Sequence, residues 1–413
     1  MSKNGDVTVL RELARRYAEV CAKPIQDERR DLWRRHNSLE RTRPLVYVRW
    51  FACRNEVIDP HLVCKDSFYR SYERILRDFL FQDQLNDDFI LEPWVTVAAT
   101  RVLPPEGLWG VEVRHSAKTE PGGSWMFDPP LQELDDIEKL VVPRHEIDEA
   151  ATERSVSKLH DAIGDLIEIN VDRQPAWSAW RADISTELAQ LRGLEQMMWD
   201  MALNPEWLHR LLAFMRDGIL KAQQEAEDAG DWHLCDHLNQ AMPYATELSD
   251  PKANGESVSR DRLWTFLASQ ETTEVSPAMF DEFMVQYQIP IMAKFGLSAY
   301  GCCEDLTRKI DVLRQIPNLR RIAVTPWADV ADCARQIGED YVISWRPNPA
   351  THACSGFDAD YIRKDVGEAL AACEGCHVDI TLKDIETVGN EPQRLVDWAR
   401  IVRETIDASA HLA

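Results

Sequence analysis

The chain has 413 residues, 45% hydrophobic and 28% charged, with a formal net charge of −23, the make-up of a folded globular protein. So strong a negative charge argues against general binding to nucleic acid or to anionic membrane, since both would be repelled. No apolar run nears the ~20 residues that span a bilayer, and Met1-Ser-Lys-Asn-Gly-Asp6 lacks a signal-peptide core, so a cytoplasmic location is expected.

In chain order, residues 7–41 read as two helices, with Leu10, Leu13, Tyr17 and Val20 on one face of the first. Arg41-Thr-Arg-Pro44 breaks that pattern, so residues 1–42 are expected to form an N-terminal helical extension and residues 43–413 a single domain. The first convincing strand covers 43–51 and ends in Arg49-Trp50-Phe51-Ala52-Cys53-Arg54, a candidate wall of a site. A helix over 67–81 follows, then strands over 89–97 and 108–114, a loop-rich stretch over 116–143, and a helix over 153–167. Helical spacing dominates from Asp183, with Asn204 as a cap, Pro205 at the first helical position, and Ala229-Gly230 as the stop. Residues 231–237 read as a strand.

The last third repeats one unit. Strands over 263–269, 297–299, 319–325, 341–344 and 377–382 are each followed by a helix, over 277–295, 306–316, 328–337, 358–372 and 392–406. This alternation implies βαβ crossovers and a parallel sheet. The predicted fold class is α/β, a TIM-type (β/α)₈ barrel, with a doubly wound open sheet as the alternative. In a barrel the chemistry sits at the carboxyl ends of the strands.

Four groups of residues compete for that chemistry. Cys302-Cys303-Glu304 follows the strand at 297–299 and offers two soft ligands and one hard one for a metal, or an activated thiol. Neighbours on a strand point to opposite faces, so one of the two thiols is expected to face the mouth and the plainer alternative buries both. His233-x-Cys235-x-His237 would share a strand face, but at ~6–7 Å between same-face residues a single ion takes at most two of them. Cys373-x-x-Cys376-His377 opens a strand rather than ending one, which puts it ~20 Å from the carboxyl end. The ten cysteines of this long chain therefore read as thiols or ligands rather than a disulfide framework. The fourth group is the ring of strand ends: Glu271, Tyr300, Lys383 and Asp384 as catalytic candidates, and Arg49, Trp327, Trp345 and Arg346 as substrate-binding ones.

The carboxyl-terminal half resembles the uroporphyrinogen decarboxylase-like superfamily. The likeness runs through Leu191-Arg-Gly-Leu-Glu195, Asn204-Pro-Glu206, Ala229-Gly-Asp231 and Ser276-Pro-x-Met-Phe280 to the end. Members that transfer methyl groups carry His-x-Cys-Gly where this chain has Tyr300-Gly301-Cys302-Cys303, and a second zinc cysteine where it has Lys383-Asp384. Cys302 thus matches a zinc ligand by position, while two of the three ligands are replaced. Arg49 to Arg54 keeps arginines but not the arginine-rich pattern of the true decarboxylases.

The resemblance therefore implies a methyltransferase linked to a corrinoid or a folate, with zinc held by Cys302 or Cys303 together with Glu271, Glu304 or Asp384. Its implied partners are a small-molecule methyl donor or acceptor and a corrinoid protein, with a homodimer as one arrangement. Two alternatives stay open: a metal-free decarboxylase or lyase, and a non-catalytic corrinoid or tetrapyrrole binder.

Overall fold

The computed structural model describes residues 3–116, 126–233, 240–354 and 356–410. Its strands, in chain order, are β1 (Leu45–Val48), β2 (Trp94–Ala98), β3 (Arg114–His115), β4 (Phe127–Asp128), β5 (Glu168–Asp172), β6 (Trp264–Leu267), β7 (Leu297–Tyr300), β8 (Leu319–Val324), β9 (Val342–Trp345) and β10 (His377–Leu382). Six of them form one parallel sheet in the order β1-β10-β9-β8-β7-β6. The first strand lies against the last, Val48 beside Leu382, so the sheet curls back on the start of the chain. β2 and β5 make a separate parallel pair, and β3 and β4 a short antiparallel one.

The eight-stranded ring is therefore not closed by ladders: among the described residues none joins β1 to β2 or β5 to β6. Other groups occupy those edges. The Val46 and Val48 amides donate to the carboxylates of Asp88 and Asp87, each at 2.8 Å, and the Phe266 amide donates to the Ala179 carbonyl at 2.7 Å. Amides paired this way are not on offer to another strand. Val95, Val97 and Ile169 of the β2–β5 pair still share one apolar cluster with Leu45, Tyr47, Phe266 and Ala299 of the large sheet.

Alternation along the strands sorts their side chains. Ile322, Val324, Ile343, Trp345, Ile380 and Leu382 pack into the cluster that includes the covering helices. Arg321, Ala323, Ser344 and Arg346 line the concave side with Phe266 and Ala299. The helices Val330–Ile337 and Ala359–Ala372 start at Asp329 and Asp358, whose carboxylates accept backbone amides of the first turn. Asn204 stands at the cap of the helix Pro205–Asp228 with Pro205 behind it, but its amide donates to Asp200 at 2.8 Å rather than serving the helix end.

Several expected elements differ. Of the strand expected over 108–114, Arg114 alone is strand, as the start of β3, because Leu108, Trp109 and Val111 pack as a loop against the helical cluster. The helix over 306–316 shrinks to Ile310–Leu313. The helix over 277–295 carries a π turn at Asp281–Val285 between its two α segments. Residues 231–233 are not strand, and the rest of that expected strand lies outside the described residues. Among the described residues no helix is long and apolar enough to cross a membrane.

Candidate active site

β7 ends at Tyr300, and the chain turns at Gly301 with φ +101°. A Cβ there would lie 2.6 Å from Leu306 Cδ1 and 2.9 Å from the Ala323 Cβ, so the turn requires glycine. Cys302 and Cys303 follow in a bend rather than a strand, and strand alternation no longer separates them. Both thiols point the same way, with their Sγ atoms 3.6 Å apart. The expectation that one would face the mouth is corrected by this turn.

Glu304 fixes the bend. Its buried carboxylate accepts the Ser269 amide at 2.8 Å and the Cys302 amide at 2.7 Å, tying the end of β7 to the loop after β6. Arg346, just past β9, donates to the Cys302 carbonyl and closes the other side. Past the end of β10, Lys383 places Nζ 3.2 Å from Cys303 Sγ and 3.6 Å from Cys302 Sγ. It also pairs with Asp384, whose φ of 57° turns the chain back over the cleft. Asp384 Oδ2 lies 3.6 Å from Cys303 Sγ, and Gln240 Nε2 donates to Cys302 Sγ at 3.4 Å.

These contacts set the charge of the site. The hydrogen bond from the Cys303 thiol lowers the Cys302 pKa to about 6 against the opposing effect of burial, with Lys383 and Arg346 adding to it. The Cys303 thiol is pushed up by the same hydrogen bond and by burial, so the pair holds one negative charge at neutral pH. Burial opposes ionisation of Asp384, but Lys383 and Cys303 more than offset it and keep the carboxyl below its usual range. The cleft has a volume of ≈ 210 Å³ and is lined by Cys302, Cys303, Lys383, Asp384, Arg346 and the exposed indole of Trp327.

The other predicted residues sit apart from this cleft. Tyr300 is buried on the helix side, its hydroxyl bonded to Ser269 at 2.8 Å and Gln288 at 2.7 Å. Trp345 is likewise turned outward and lines a neighbouring groove between helices. Arg49 lies beside the site, its amide donating to the Leu382 carbonyl at 2.7 Å. Glu271 follows β6 at the same end of the sheet as Asp384, but it accepts hydrogen bonds from Ser185 at 2.5 Å and Thr186 at 2.9 Å instead of lining the cleft. Cys376 precedes β10 and therefore lies at the opposite end from Lys383, and Cys373 is buried in the helical cluster. Cys235 and His237 lie outside the described residues. Gln240 has no signal in the sequence beyond its nearness to that cluster.

A neighbour of Glu271 carries its own expected result. Burial, together with Glu271 and Glu187, raises the Asp183 pKa to about 8. A carboxyl whose folded pKa lies above its unfolded value stabilises the fold at low pH and loses that contribution as pH rises through about 8. Asp183→Asn is expected to leave the melting temperature unchanged near pH ~4 and to raise it near pH ~9. Equal melting temperatures for the two proteins at the higher pH would contradict this.

A catalytic zinc takes about three nitrogen, sulfur or oxygen ligands from the protein and keeps one position open, and the residues as placed here do not supply that set. Both oxygens of Glu304 serve backbone amides. The space between the two sulfurs and Asp384 is taken by the Lys383 side chain. Among the described residues no group of three or more His, Cys, Asp or Glu is placed to hold a metal ion. The positive charge at this site comes from Lys383 and Arg346.

No protein-family model matches the chain, and no curated protein matches it. Among solved structures, a methyltransferase from Methanosarcina mazei aligns over 90% of this chain and 97% of its own, with a TM-score of 0.51 and 12% identity. The two chains share a fold.

Proposed function

We propose that the chain is a methyltransferase of the uroporphyrinogen decarboxylase-like kind, built on a barrel whose eight parallel strands are interrupted at two seams. It moves a methyl group between a carrier, a corrinoid protein or a folate, and a small thiol bound in the cleft. The observation that carries this reading is the Lys383 ammonium set 3.2 and 3.6 Å from two strand-end sulfurs.

Methyl transfer to sulfur needs a thiolate aligned about 3–3.5 Å from the methyl carbon. Cys302, the charged member of the pair, takes the proton from the bound thiol. Lys383 then transfers its attraction to the new substrate thiolate, stabilising charge where it develops. The substrate sulfur bonds to the methyl carbon as the bond to the carrier breaks, and the carrier keeps the electron pair. Trp327 covers the cleft, and Arg346 holds the bend that carries Cys302. Zinc assistance, which the resemblance implies, would require Lys383 to move aside.

A metal-free lyase acting on a carboxylated substrate is the second reading, favoured by the two cations Arg346 and Lys383 in one cleft. The test is a panel of small thiols offered with methylcobalamin and methyltetrahydrofolate, alongside metal analysis of the purified protein. Methylated thiol formed without bound metal supports the proposal. Release of carbon dioxide from a carboxylated substrate favours the lyase, and binding without turnover favours the non-catalytic binder.

A further inference from the structure

Adjacent cysteines in a strand cannot meet, but the turn at Gly301 and the bend after it bring these two together. Their sulfurs are already 3.6 Å apart, so closure needs a further approach of about 1.5 Å, and the resulting ring is strained and readily reduced because neighbouring Cα atoms lie only about 3.8 Å apart. Cys303 is exposed, whereas the other described cysteines are buried or half-buried. Glu304 and Arg346 hold the Cys302 backbone, while the Cys303 side chain meets only Cys302, Lys383 and Asp384 through its sulfur. The Cys302 backbone is held on both sides, and the Cys303 sulfur reaches Cys302 by giving up its contacts with Lys383 and Asp384.

We propose that Cys302 and Cys303 form a redox modification site, closed into a disulfide between neighbouring residues by small disulfides such as oxidised glutathione. The Cys302 thiolate attacks one sulfur of the small disulfide, a new S–S bond forms, and the first small thiolate leaves. The Cys303 sulfur then attacks Cys302 in the mixed disulfide and its proton passes to the second departing thiolate. Two protein thiols are oxidised and one small disulfide is reduced to two thiols. Lys383, with Nζ 3.6 Å from Cys302 Sγ and 3.2 Å from Cys303 Sγ, promotes the first step by favouring a thiolate over a thiol. Closure removes the charged sulfur from Lys383 and takes away the base of the proposed reaction. The chemistry of closure does not depend on that reaction.

The experiment treats the full-length protein with oxidised glutathione, quenches it in acid, and reads intact mass and a peptide map. The wild type is expected to lose two hydrogens, both within the peptide that carries Cys302 and Cys303, with no glutathione retained. Cys303→Ser is expected to keep one glutathione on Cys302, because the resolving sulfur is gone. A glutathione that stays on the wild type, a link from Cys302 to any other cysteine, or failure of either thiol to react would overturn the proposal. If the mass result holds while no methyl transfer is found, the redox site stands and the methyltransferase reading falls.

Discussion

Asp379→Ala is expected to destabilise the fold by about 3–5 kcal/mol, the usual cost of breaking a buried ion pair from one side. Asp379 is fully buried in β10, where Arg321 of β8 donates to it at 2.5 Å and Ser344 of β9 at 2.8 Å. Removing it leaves the Arg321 guanidinium without its counter-charge in the interior, with the Asn37 side chain at 2.8 Å and the Trp33 ring beneath it as neutral neighbours. His36 reaches the same carboxylate at 3.4 Å, so the helix Ile25–Asn37 is anchored through this network to three strands. Burial works against the Asp379 charge, but Arg321 and the hydrogen bonds prevail and hold its pKa at about 2. A folded pKa below the unfolded value gives stability that is complete above about pH 5 and is lost as the pH falls toward 2. Urea unfolding at neutral pH measures the effect, and a loss below about 1 kcal/mol would show that the network does not hold these strands together.

The second large effect is catalytic. If Cys302 is the base that activates the substrate, Cys302→Ala lowers kcat/KM by roughly 10²-fold or more, the usual contribution of a positioned base. Cys376→Ala, at the other end of β10, leaves turnover nearly intact. In the wild type kcat/KM rises through about pH 6, where the Cys302 thiolate forms, and Lys383→Met moves that rise to higher pH by removing the neighbouring positive charge. A profile that does not move in Lys383→Met would separate the lysine from the thiolate.

The strand–helix alternation of the last third was legible because apolar runs and their helical successors follow simple periods, and β10 runs from His377 to Leu382 as expected. β5 was missed although Glu168-Ile-Asn-Val-Asp172 alternates strictly, because it has only two apolar residues and follows directly on the expected helix over 153–167. The two edges of the six-stranded sheet were not legible either. They depend on Asp87 and Asp88 reaching sideways to β1, a tertiary contact that leaves no local pattern.

At the site the sequence placed Cys302, Cys303, Lys383 and Asp384 at strand ends, and the fold brings the four together. It could not say which way the thiols point, since alternation holds only while the chain remains a strand. Tyr300 and Trp345 are still subject to alternation, which turns both toward the helices. Arg321 and Asp379 did leave a signal: each is a charge inside an otherwise apolar strand, Arg321 beside Arg320 and pointing to the opposite face, and such charges are buried only in pairs.

The most direct test follows a carbon-13-labelled methyl group by NMR from its carrier to a small thiol, comparing the wild type with Cys302→Ala. The account predicts that the label reaches sulfur in the wild type and stays on the carrier in the variant. Label transfer at an equal rate in Cys302→Ala would contradict it.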